Sequence, residues 1–167
     1  VWCDGKDTAE AVVLSAIEKG FDAIGFSSHM SFPASQDWEL SAADAPAYVR
    51  EINRLREKYA SRIKVYCGGE ADYIRGITTP EHLRYAAMNL SYLIGSLHMV
   101  IAPDGGRIWV DSSPKLLAEC LERHFGGDAE AFVCAYFEQQ REMLSFDFEI
   151  LGHPDLVRKF NVRHPYF

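Results

Sequence analysis

The chain has 167 residues, 48% of them hydrophobic and 25% charged, with a formal net charge of −7. That length and composition suit one globular domain with its own core, and the acidic balance argues against a nucleic-acid surface built on excess lysine and arginine. No apolar run nears the roughly 20 residues that cross a bilayer, and no signal-peptide pattern opens the chain, so no membrane partner is expected.

In chain order, Asp7-Thr8-Ala9-Glu10 has the form of a capping box. It predicts a helix with Val12, Ala16 and Ile17 on one face, closed by Gly20 at the position after its last turn. Ala23-Ile24-Gly25-Phe26 predicts a short buried strand, followed by a polar loop from Ser27 to Trp38. A charged helix is expected from about Ala43 to Tyr59. Ile63 to Cys67 reads as the next strand, ended by Gly68-Gly69. Pro80 opens a short helix through Met88, and Tyr92 to Gly95 is a third strand. Pro103-Asp104-Gly105-Gly106 suggests a hairpin leading to Ile108-Trp109-Val110. Two helices follow, from about Pro114 to His124 and Ala129 to Leu144, and Phe148 to Leu151 is a fourth main strand.

Strands alternating with helices predict an α/β fold of parallel β/α units, as in a barrel or an open doubly wound sheet. Cys3, Cys67, Cys120 and Cys134 show neither CxxC pairing nor dense disulfide spacing. They read as reduced, mostly buried thiols of a cytoplasmic protein.

Four of the strands lead into a residue able to bind metal: His29, Glu70, His98 and His153. In parallel β/α units, functional groups gather at these C-terminal strand ends. Imidazole together with carboxylate suits zinc, manganese or iron. A lone histidine at a strand end is more often a hydrogen-bonded structural group, so the inference rests on the set. His82, His124 and His164 lack the strand-end setting and are read as structural. Gly69 and Gly152, each just before a candidate ligand, are expected to allow unusual backbone turns.

The strings GFSSH, GGEADY, GSLHM and ILGHPDLVRKF, in this order, resemble successive motifs of the polymerase-and-histidinol-phosphatase (PHP) superfamily. GHPDL is more similar to its histidinol-phosphatase branch. The resemblance implies a distorted (β/α)7 TIM-like barrel, of which residues 1–167 form an incomplete part within a single domain. It implies up to three divalent metals, with Glu70 bridging two, His98 and His153 on one of these, and His29 on the third. Asp4 matches a less secure ligand of that third site. Arg158 matches a phosphate-binding arginine. Asp155 is open to two readings, ligand orientation or helix capping.

The resemblance also implies a His-x-His pair upstream of Val1 and an Asp-x-His pair downstream of Phe167. The 167 residues alone are therefore expected to bind metal incompletely, to expose apolar edges and to show little activity. The function expected of the complete protein is metal-dependent hydrolysis of a small phosphorylated substrate, foremost L-histidinol phosphate in histidine biosynthesis. Two alternatives remain: a PHP phosphoesterase for another small phosphate or nucleotide, and a non-catalytic metal-binding module.

Overall fold

The computed structural model describes residues 2–3, 5–30 and 39–161. Helix α1 (Ala9–Glu18) begins at Thr8, whose extended backbone lets its hydroxyl accept from the Ala11 amide at 3.1 Å. That bond satisfies one of the free amides of the first turn. The expected capping box does not form. Glu10 is drawn instead to Lys58 and Arg54 and accepts from the Tyr59 hydroxyl, because two cations and a phenol outcompete a backbone amide for one carboxylate. Ala9, Val13 and Ala16 are the buried residues of α1, while Val12 and Ile17 flank them. Gly20 ends the helix with φ +77°, as expected of a left-handed closing position.

Two strands outrun their expected ends. β1 (Ala23–His29) continues through Ser27 and Ser28, and β2 (Lys64–Asp72) runs through Gly68-Gly69. Ser27, Ser28 and His29 pair in register with Gly68, Gly69 and Glu70. Main-chain groups make the ladder, so small or polar side chains do not stop it when a neighbouring strand supplies the partners. Between these strands, α2 (Ala45–Lys58) buries Tyr48, Ile52 and Leu55, the spacing of one helical face. Tyr48 donates its hydroxyl hydrogen to the Gly68 carbonyl at 2.7 Å, fixing α2 against β2.

A short α3 (His82–Tyr85) and a 3-10 turn, Ala86–Met88, lead to β3 (Tyr92–Ser96). Strands β4 (Met99–Ile101) and β5 (Arg107–Trp109) form the expected antiparallel hairpin. Helices α4 (Pro114–Phe125) and α5 (Ala129–Met143) precede β6 (Ile150–Leu151), which is shorter than the expected strand. Phe148 packs partly against both main cores, and the Glu149 carboxylate accepts from the Leu93 amide.

The main sheet has the order β1–β2–β3–β6 with every pair parallel, so the α/β expectation holds, and among the described residues β1 and β6 are its outer strands. One core lies between β1, β2 and helices α1 and α2. A second joins the hairpin to α4 and α5. Gln139 of α5 is fully buried yet satisfied: its amide oxygen accepts from Ile101 N–H and its amide nitrogen donates to Ile101 C=O. Of the four cysteines only Cys67 is buried, and Cys134 is exposed on α5, so the expectation of mostly buried thiols does not hold. Among the described residues no helix is long and apolar enough to cross a membrane.

Candidate metal centre

Parallel strands bring their C-terminal ends to one edge of the sheet. His29 is the last residue of β1 and faces Glu70 of β2 in register. Side chains alternate along a strand, so Glu70 and Asp72 leave β2 on the same face. His98 lies two residues past β3, its carbonyl accepting from the Val110 amide at 2.9 Å. His153 lies two residues past β6. Helix α5 holds its backbone: the Tyr136 hydroxyl donates to the His153 carbonyl at 3.4 Å, and Gln140 Nε2 to the Pro154 carbonyl at 3.1 Å.

Glu70 is the centre of the group. Its Oε1 is 3.2 Å from His153 Nε2 and 3.6 Å from His98 Nε2, while its Oε2 is 3.9 Å from His29 Nδ1. The His98 ring stands 4.7 Å from that of His153 and 5.4 Å from that of His29, centroid to centroid. Burial works to raise the Glu70 pKa, but His153, the Ser96 hydroxyl and the charges of His29 and His98 together outweigh it and bring it to about 2. The group is therefore a carboxylate at neutral pH. His98 is shifted the other way. Burial lowers its pKa, yet the hydrogen bond and charge of Asp72, with the charges of Glu70 and Asp111, raise it overall.

Asp72 was not among the residues expected to matter. It is 3% exposed, and its Oδ1 accepts from His98 Nδ1 at 2.5 Å. The sequence did carry a signal for it. In Gly69-Glu70-Ala71-Asp72, two acids sit at i and i+2, which is one face of a strand, but the strand was expected to end before them.

The glycines beside the ligands do something other than turn the chain. Neither Gly69 nor Gly152 has positive φ. A Cβ on Gly152 would stand 2.1 Å from Ser96 Oγ, and one on Gly69 2.7 Å from the Met30 side chain. They are small because neighbouring side chains occupy the space.

Asp4 lies outside the described residues, as does His164. Arg158, itself exposed, ends a 3-10 turn, Leu156–Arg158, whose Val157 is buried, and among the described residues its guanidinium forms no ion pair. Asp155 precedes that turn without a side-chain capping bond. The neighbouring Lys159 instead places its ammonium 3.3 Å from Asp111 Oδ2. His82 and His124 are structural groups, as expected, paired with Glu149 and Asp104 respectively.

The donor set fits a divalent ion. His29, Glu70 and His98 each offer one ligand atom, and all three atoms lie within 4.8 Å of one another. Ligand atoms about 2.1 Å from a shared ion stand roughly 3.4 Å apart in tetrahedral geometry. The separations from Glu70 to its three histidines, 3.2 to 3.9 Å, bracket that value.

Residues 1–165 match the family described as the PHP domain. A Deinococcus radiodurans protein described as "Probable histidinol-phosphatase" is 29% identical over 153 residues, which cover 90% of this chain and 55% of that protein. A Schizosaccharomyces pombe protein of the same description is 30% identical over 166 residues, covering 90% of this chain and 51% of that one. The chain thus spans about half the length of the curated relatives it matches. A crystal structure of a Listeria monocytogenes protein, to which histidinol phosphatase activity is ascribed, superposes with a TM-score of 0.80 at 25% identity. That superposition covers 98% of this chain and 67% of the other.

Proposed function

Because this chain belongs to the PHP domain family, whose TIM-like barrel its parallel sheet partly forms, we propose that it is part of a metal-dependent phosphatase acting on L-histidinol phosphate. The observation that carries the reading is the division of the Glu70 carboxylate. Oε1 faces His98 and His153 while Oε2 faces His29, so one ionised carboxylate stands among three histidines and offers each of its oxygens to a different side. In this reading Glu70 would serve two divalent ions, His98 and His153 would hold one of these, and His29, with Asp4, would hold a third. Zinc, manganese or iron would suit these donors.

The chemistry supplied there, once metal is bound, is Lewis acidity: a more acidic water and neutralised phosphoryl oxygens. The protein's own residues supply the rest. Glu70 enters the site already ionised, so it holds cations near neutral pH without first losing a proton. Arg158, exposed and outside any described ion pair, is free to offer a forked pair of hydrogen bonds to the substrate phosphate. The substrate itself is inferred from the GHPDL segment and from the similarity to proteins described as histidinol-phosphatases.

The test is a comparison of kcat/KM for histidinol phosphate, glycerol phosphate and mononucleotides on the complete, metal-loaded protein, with bound metal counted in parallel. A clear preference for histidinol phosphate is expected. Equal or inverted preference would move the assignment to a broader phosphoesterase. Metal binding without any phosphate release would favour a non-catalytic module.

A further inference from the structure

We propose that Asp72 is a positioning residue for the metal centre, holding His98 in the one tautomer and orientation that turns its Nε2 toward the ion. The proposal deepens the metal reading above and rests on it.

Four observations meet at this pair. Asp72 is two residues beyond Glu70 on β2, so both carboxylates leave the strand on one face and Asp72 stands beside the centre without joining it. Its Oδ1 accepts from His98 Nδ1 at 2.5 Å, which fixes the proton on Nδ1 and leaves the Nε2 lone pair free. That Nε2 is the atom 3.6 Å from Glu70 Oε1. Finally, the His98 carbonyl is held by the Val110 amide, so backbone and ring are both constrained.

The economy of burial points the same way. Asp72 is 3% exposed, and among the described residues its second oxygen, Oδ2, has no hydrogen-bond partner. A buried charge satisfied on one oxygen contributes poorly to folding. What the arrangement does supply is a strongly directed acceptor for a metal-binding histidine. Carboxylates that accept from the second nitrogen of a ligating histidine set its tautomer and raise its basicity.

The test has two readouts besides turnover. The first is zinc affinity of the wild type, Asp72→Asn and Asp72→Ala, measured by competition with a chelating dye. The second is the protonation of each His98 nitrogen in the zinc-loaded protein, read by nitrogen-15 NMR. The expected result is about 10- to 100-fold weaker zinc binding for Asp72→Ala and a smaller loss for Asp72→Asn, whose amide oxygen still accepts. The wild type should carry its His98 proton on Nδ1. Variants that melt earlier but bind zinc as tightly as the wild type would make Asp72 merely structural and overturn the proposal. If the variants do not fold, the wild-type spectrum still decides, since a proton on Nε2 overturns it and one on Nδ1 supports it. Absence of zinc binding by the wild type would overturn the metal reading, and this proposal with it. Normal wild-type binding with unaffected variants overturns this proposal alone.

Discussion

His153 Nε2 stands 3.2 Å from Glu70 Oε1, although 83 positions separate the two residues in the chain. The contact joins the outermost strand β6 to the centre of the sheet through one carboxylate that also faces His98 and His29. Glu70→Gln keeps the size of the side chain but removes the charge. It should lower zinc affinity and phosphate release by more than about 100-fold, since partners outside the ligand set are alone worth about 10–100-fold. Metal content and turnover of the folded variant check this. Unchanged metal content would remove Glu70 from the ligand set.

Gly152→Ala should disturb the same place by steric means. Its Cβ would meet Ser96 Oγ at 2.1 Å and Ile94 Cγ2 at 3.1 Å, directly before His153. Overpacking of this kind costs about 1–3 kcal/mol. Thermal unfolding should show that loss, with weaker zinc binding because His153 moves. Adding Ser96→Ala should restore part of both, a non-additivity expected of touching residues. Strictly additive effects would mean that Ser96 does not set the space at Gly152.

The ion-pair cluster on α1 and α2 predicts a pH dependence. Lys58 first, then the Tyr59 hydroxyl and Arg54, depress the Glu10 pKa from 4.5 to about 2. A depressed carboxyl contributes stability above its unfolded pKa and loses it as pH falls toward the folded one. The contribution of Glu10 should thus be complete above pH 4.5 and fade toward pH 2. Melting temperatures of wild type and Glu10→Gln, measured from pH 7 to pH 3, should differ most at the top of that range, and the gap should narrow toward the bottom. A constant gap would show that packing, not charge, accounts for the difference.

Arg158 and Lys159 are adjacent cations with different settings. Lys159 is engaged with Asp111, whereas Arg158 forms no ion pair among the described residues. Arg158→Ala should weaken phosphate handling by about 1–3 kcal/mol, the worth of a charge-assisted contact. Lys159→Ala should change it much less. Steady-state kinetics with histidinol phosphate, and inhibition by inorganic phosphate, distinguish the two. A larger effect at Lys159 would reassign the phosphate contact.

Two leucines test where the fold is held. Leu93 of β3 is fully buried, whereas Leu83 of α3 is 86% exposed. Leu93→Ala should cost about 2–5 kcal/mol by lost transfer energy and a residual cavity. Leu83→Ala should fall within about 0.5 kcal/mol of the wild type. Urea unfolding of both variants gives the comparison.

The sequence alone determined the alternation of helices and strands, because hydrophobic spacing and end-capping residues act within a few positions of themselves. It also determined that His29, Glu70, His98 and His153 share strand ends. In a parallel sheet those ends lie together, so a local pattern carried a long-range consequence. The tertiary structure decided what depends on neighbours distant in the chain. β2 continues through Gly68-Gly69 because β1 and β3 supply ladder partners that no local propensity encodes. That continuation places Asp72 beside His98, a pairing across 26 residues that motif spacing did not reveal. Glu10 leaves its own helix for Lys58, Arg54 and Tyr59 because α2 packs alongside. Gly152 is small because Ser96 fills its space, and excluded volume between strands is set only when the chain has folded.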